Sequence, residues 1–143
     1  MTRIDFYVLD SNDAQAQAQL SCRVADKAWT RQQQVYIHTN TRQDSEQLDQ
    51  LMWTYPDDSF LPHCLYTADE SSATPILIGH DHEPEQVTDV LINLADDVPP
   101  FYSRFERIVE LVTGDEVTRQ KARERYKYYR DRGYAIETHK LSS

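Results

Sequence analysis

The chain has 143 residues, 39% hydrophobic and 27% charged, with three glycines, six prolines, two cysteines and a net charge of −9. That length predicts a single domain, 1–143, able to bury about 68–70% of its unfolded surface without disulfide staples. Cys22 and Cys64 form no C-x-x-C pair, no apolar run nears the roughly 18 residues of a membrane span, and the opening residues pass straight into a strand pattern, so a reduced, cytoplasmic protein without leader or membrane attachment is expected.

Residues 4–9, Ile-Asp-Phe-Tyr-Val-Leu, read as a first strand, and Asp10-Ser11-Asn12-Asp13 supplies turn and helix-capping chemistry. A helix is predicted over 14–32, where Leu20, Val24, Ala28 and Trp29 recur near helical spacing. Residues 34–39 form a second strand, and Leu48, Leu51, Met52 and Tyr55 place an amphipathic helix over 45–55, ended by Pro56. Residues 75–79 and 90–94 are short apolar strands, the second stopped by Asp96-Asp97 and Pro99-Pro100. A fifth strand covers 107–112. A long helix covers 116–132 with Gly133 at its C′ position, and 134–138 fits a short edge strand. The order βαβαβββα predicts an α/β fold around a mostly parallel sheet flanked by helices. The stretches 66–75 and 80–87 read as loops.

Charge is unevenly spread. Residues 1–100 hold 5 Lys/Arg against 17 Asp/Glu, while residues 119–132 hold seven basic and two acidic residues. An acidic protein with one basic patch fits a local anionic partner; a solvated helix face would give the same count.

Several chemistries lack their residues. No glycine follows the first strand, so the phosphate cradle of a nucleotide site is missing. The acidic turn from Asp10 to Asp13 could hold a divalent metal for phosphoryl transfer, which is the alternative function, but N-capping explains it with less. His80-Asp81-His82, with His63 and Cys64 elsewhere, lacks zinc spacing. No Gly-x-Ser-x-Gly elbow occurs, and Cys22 lies mid-helix where a small buried apolar residue belongs. No metal site, cofactor or catalytic constellation is expected; the chain reads as a binding module and not an enzyme.

The last helix carries the most information. At about 100° per residue, with Arg119 at zero, Arg130 falls at about +20°, Arg123 at about +40° and Lys127 at about +80°. Tyr126 lies at about −20°, on the seam with Ala122, Tyr129 and Gly133 on the core side. An aromatic ring flanked by guanidinium groups suits a carboxylate-bearing, apolar-tipped ligand; a tyrosine snorkelling past solvated charges is the plain alternative. Direct single-strand binding, with Tyr126 and Tyr128 as stacking platforms, is a third possibility. A second feature is the segment Leu51-Met52-Trp53-Thr54-Tyr55-Pro56 with Ser59-Phe60-Leu61-Pro62-His63. Large apolar residues around a loop are either folded under it or displayed to a partner.

These blocks together resemble the chi subunit family of bacterial DNA polymerase III. The resemblance rests on Phe6-Tyr7-Val8-Leu9-Asp10, Leu48-Asp49-x-x-Met52-Trp53, Pro56-x-x-Ser59-Phe60-x-Pro62-His63, Val90-Leu91-Ile92-Asn93-Leu94, Ala122-Arg123-Glu124-Arg125-Tyr126-Lys127-x-Tyr129-Arg130 and Gly133-Tyr134, in that order along the chain. No block covers 66–86. The resemblance implies a non-catalytic clamp-loader accessory protein with a nucleotide-binding-like fold and no nucleotide. It implies two partners: the psi subunit, and the acidic, phenylalanine-ended tail of single-stranded DNA-binding protein (SSB). Tail-binding positions fall on Arg119, Arg123, Tyr126, Lys127 and Val112, where Arg119 takes a place often held by lysine. Psi-facing positions fall on Trp53, Phe60 and Pro62. Some members also use that surface for a helicase-like repair protein. On this reading a patch of net +5 within 119–132 reads an acidic peptide, while the acidic remainder disfavours strong direct binding to nucleic acid.

Overall fold

A computed structural model describes residues 2–10, 13–54, 62–65, 75–80, 84 and 87–141. Among the described residues seven strands form one sheet: β1 (Arg3–Leu9), β2 (Val35–His38), β3 (His63–Leu65), β4 (Ile76–Gly79), β5 (Val90–Asn93), β6 (Arg107–Val112) and β7 (Ala135–Leu141). Their spatial order is β3-β4-β2-β5-β6-β1-β7, and every pairing is parallel. Three α-helices flank the sheet among the described residues: α1 (Ala14–Thr30), α2 (Arg42–Met52) and α3 (Glu116–Asp131). The expected α/β fold is therefore present, and its sheet is wholly parallel.

Central strands of such a sheet are covered on both faces, which is why β4 and β5 are buried throughout and apolar apart from Gly79 and Asn93. Alternate residues feed two cores. Val35, Ile37, Ile76, Ile78, Val90, Ile92, Val109 and Leu111 meet Cys22, Ala25 and Ala28 of α1 and Leu48 and Met52 of α2. Ile4, Phe6, Tyr36, Leu77, Leu91 and Ile108 meet Ala122 and Tyr129 of α3 on the other face, with Phe101, Tyr102 and Phe105. Burial pushes the Cys22 thiol up to about 11, as an inert core cysteine requires. Gly79 is a packing necessity, since a Cβ there would run into the Tyr36 hydroxyl.

The element boundaries differ from expectation in instructive places. The amphipathic stripe begins at Leu48, but α2 begins at Arg42, because the Thr41 side chain accepts the Asp44 N–H at 3.1 Å and starts a polar first turn. That turn carries no apolar periodicity. α2 ends at Met52, and Tyr55 and Pro56 lie outside the described residues. β3 was not expected: three residues are too short to show alternation, and only pairing with β4 defines the strand. A 3-10 turn, Tyr102–Arg104, follows the proline pair and packs Tyr102 under α3. The tail strand runs to Leu141, seven residues in register with all of β1. Gly133 holds φ +82°, the left-handed conformation needed to close α3.

Candidate functional site

α3 is fixed at both ends before it can present anything. Asp115 caps it, accepting the Thr118 N–H at 3.0 Å and the hydroxyls of Thr118 at 2.7 Å and Thr113 at 2.6 Å. Those bonds, Thr113 first, hold the Asp115 carboxyl at about 2. On the inner flank Glu110 of β6 is fully buried. Its carboxylate accepts Arg125 Nε at 2.9 Å, the Tyr129 hydroxyl at 2.8 Å and Asn93 Nδ2 at 3.0 Å. Arg125 Nη1 also donates to the Asp96 carbonyl at 2.8 Å. Burial pushes the Glu110 carboxyl above its usual range, opposed by the Arg125 guanidinium beside it. This network ties the inner flank of α3 to β5 and β6.

Arg125 therefore leaves the basic patch. Six residues on from Arg119, it lies at about −120° on the helical wheel, on the buried flank. Lys121 leaves too, pairing with Asp96 at 3.0 Å. The expected patch of net +5 over 119–132 is thus too large: helical rotation divides the cations between two sides.

The outer flank opens on a cavity of about 460 Å³ between α3, β1, β6 and β7. Phe6, Val8, Val112 and Ala122 make its apolar floor and wall, and Thr138 of β7 borders it. Tyr126, 37% exposed, lies with its ring centroid 5.4 Å from that of Phe6. Arg119, Arg123, Lys127 and Arg130 line the same cavity. Arg123 and Arg130 are exposed and loosely held, by Glu116 at 3.5 Å and Asp131 at 3.3 Å. The buried Nε of Arg119 meets no hydrogen-bond partner among the described residues, a condition proteins tolerate only rarely. A greasy slot rimmed by guanidinium and ammonium groups is suited to an apolar side chain that carries a carboxylate.

All five residues named for tail binding, Arg119, Arg123, Tyr126, Lys127 and Val112, line this one cavity. Sequence reasoning missed Phe6, Val8, Ala122 and Thr138 as lining and placed Arg130 only on the ridge. Phe6 carried a usable signal, an aromatic residue in the first strand; Thr138 carried none, because only the pairing of β7 with β1 brings it there. Tyr128 is no open stacking platform. It is half-buried, with the Tyr102 ring 5.6 Å away and the Arg132 guanidinium 3.5 Å above it.

The second feature lies at the opposite edge of the sheet. Trp53 is 57% exposed, its ring centroid 4.8 Å from that of His63. His63 in turn reaches Asp49 at 3.3 Å. Pro62 is half-buried beside it, and Phe60 lies outside the described residues. At the acidic turn, Asp13 caps α1 by accepting the Gln15 N–H at 2.9 Å, Asp10 is exposed, and Ser11 and Asn12 lie outside the described residues. So do Asp81 and His82. A trio that sequence did not suggest, Asp5, Glu137 and His139, converges within 4.8 Å on the face of the sheet away from α3. Burial alone would raise the Asp5 carboxyl, but Arg107 at 2.7 Å and His139 at 3.2 Å hold it below its usual range. The buried carboxylate is thus already met by a guanidinium.

Fold and site together are those of an α/β domain with an apolar slot, rimmed by cations, beside its last helix. The DNA polymerase III chi subunit, HolC, family model matches residues 1–137. A DNA polymerase III subunit chi from Pseudomonas aeruginosa is 39% identical over 141 residues, covering 99% of this chain and 98% of its own. Its Escherichia coli counterpart is 30% identical over 143 residues, with 96% and 97% covered. The chain belongs to the DNA polymerase III chi subunit family, a replication accessory family and not a catalytic one. Among solved structures, the C-terminal domain of the DEAD-box protein Dbp5 superposes with a TM-score of 0.65 at 11% identity, over 97% of this chain and 90% of that one. T4 UvsW superposes with a TM-score of 0.67 at 6% identity, over 99% of this chain and 42% of that one. At such identities these likenesses define the fold alone. No helix among the described residues is long and apolar enough to cross a membrane.

Proposed function

We propose that this chain links the DNA polymerase III clamp loader, through the psi subunit, to the acidic C-terminal tail of SSB, and does so as a single cytoplasmic domain. The observation that carries the tail half is the slot beside α3: an apolar floor, a half-exposed tyrosine and four cations around one opening. A terminal phenylalanine fills the floor, its carboxylate meets Arg119 and Arg123, and the preceding acids face Lys127 and Arg130. The psi half draws support from Trp53, an exposed indole on a His63–Asp49 support, with Pro62 beside it; Phe60 joins them in the family pattern. The same surface is the place where a helicase-like repair protein would compete with psi.

The reading predicts feeble binding to bare single-stranded oligonucleotide at physiological salt and firm binding to the same strand coated with SSB, because the net charge of −9 repels phosphate. Gel-shift titrations with bare and coated strands check this; equal affinity for both would favour direct strand binding. Anisotropy with a labelled tail peptide tests the slot itself. A peptide lacking its last phenylalanine that binds as tightly as the intact one would remove the tail from this site.

A further inference from the structure

The slot opens onto a sheet edge. β7 is regular over seven residues, contains no proline, and pairs only with β1 among the described residues. Its other edge offers unpaired N–H and C=O groups, a template that proteins commonly blunt when it has no use. Here the strand carries Glu137 and Lys140 but no proline, and its outer edge is unpaired among the described residues. On the face away from α3, His139 reaches Asp5 at 3.2 Å and stacks on Tyr7 with ring centroids 4.7 Å apart.

Pleating sorts the β7 side chains by charge. Thr138 is in register with Phe6 and Lys140 with Val8, so both stand on the α3 face, while Glu137, in register with Asp5, stands on the other. The only lysine of the strand therefore stands on the same face of the sheet as α3 and its four slot cations, and its only carboxylate is turned away. Lengths agree as well. From Arg119 to Arg130 α3 advances about 16 Å, the span of roughly five residues of extended chain.

We infer that the free edge of β7 captures an acidic peptide by strand addition: the peptide lengthens the sheet as an eighth strand beneath the α3 cations, and its last, apolar residue folds inward over Thr138 into the slot. This rests on the tail reading of the slot and adds to it the backbone as the source of register. Backbone bonding fixes where the peptide lies without demanding a particular acidic sequence, and the cations supply the preference for acids.

The experiment uses the whole chain and a labelled eight-residue peptide of aspartates ending in phenylalanine, compared with versions N-methylated at alternate amides. Methylation at one parity should weaken binding roughly three- to tenfold per lost bond, and at the other parity less than about twofold. Amide exchange in β7 should slow at alternate residues when peptide is bound. Two equally harmless parities, with the phenylalanine still essential, would overturn strand addition and leave the tail reading standing. A peptide that does not bind at all would overturn both. A dimer in sedimentation that saturating peptide fails to dissociate would give the edge to a second copy of the chain and overturn the inference.

Discussion

On the inner flank of α3 the Arg125 side chain is 7% exposed and bonded to Glu110; on the outer flank Arg123 is 63% exposed and only loosely tied to Glu116. The two arginines stand two residues apart on one helix. Arg125 has acceptors supplied by the fold, Glu110 and the Asp96 carbonyl, so its guanidinium is held on the inner flank, away from the slot. Arg123 lies beside an apolar slot with weak local acceptors, so its capacity for paired hydrogen bonds remains available. What makes a cation a recognition group is the absence of an internal acceptor beside an apolar surface. The number of charges in the helix does not decide it.

The largest expected effect breaks the inner flank. Glu110→Ala strands a buried guanidinium and should cost about 3–5 kcal/mol of stability, read from denaturant unfolding. Glu110→Gln keeps the shape and part of the bonding and should cost less. If either variant were as stable as the parent, the division of α3 into a structural and a recognition flank would be lost.

Next comes a contrast between the sheet's two edges. Trp53→Ala should weaken psi binding by at least about 2 kcal/mol and leave tail-peptide affinity unchanged, since β3 and β7 lie six strand spacings apart, about 29 Å. Co-purification with psi alongside peptide anisotropy reads both halves. A Trp53→Ala variant that keeps psi undiminished would remove that edge from the interface.

On the outer flank Arg123→Ala and Tyr126→Ala should each lower tail affinity about tenfold, the first by deleting a charge-assisted bond and the second by opening the slot. Arg123→Ala should hardly alter unfolding, because its side chain is exposed, whereas Tyr126→Ala also gives up the ring contact with Phe6. Lys127→Ala should cost less than Arg123→Ala and mainly flatten the salt dependence, since an exposed ammonium attracts diffusely. Equal salt slopes for Lys127→Ala and the parent would show that Lys127 does not face the tail.

The smallest effect is a pH response at the helix start. Asp115 is held at about 2, below the roughly 3.9 of an unfolded aspartate. Its capping contribution is thus complete above about pH 4 and is lost as pH falls through about 2. A carboxyl titration by NMR should find this midpoint, and Asp115→Asn, a good cap without a charge, should remove the response while keeping the helix.

The sheet was legible wherever strands run long enough to show their period. β1, β4, β5 and β6 read directly from apolar runs bounded by turn residues, and α3 from its angular pattern and Gly133. β3 was not legible, since three residues have no period. The N-terminal turn of α2 was missed because capping by Thr41 is local hydrogen bonding that hydrophobic spacing does not register. In the slot, the rim residues were legible because they share one helix face, while Phe6, Val8 and Thr138 come from strands far apart in the chain.

Sequence by itself determined the class of the fold, the absence of a glycine-rich phosphate cradle and the helix that bears the slot's cations, because each is written in local periodicity and composition. Tertiary structure alone decided how Arg125 is used, since its acceptor is Glu110, a residue of another strand whose buried carboxylate takes up the guanidinium on the inner flank. It also decided that the slot ends at an open sheet edge, since β7 meets β1 from the far end of the chain. Long-range pairing and the satisfaction of one buried charge leave no local pattern, and these two events shape the site.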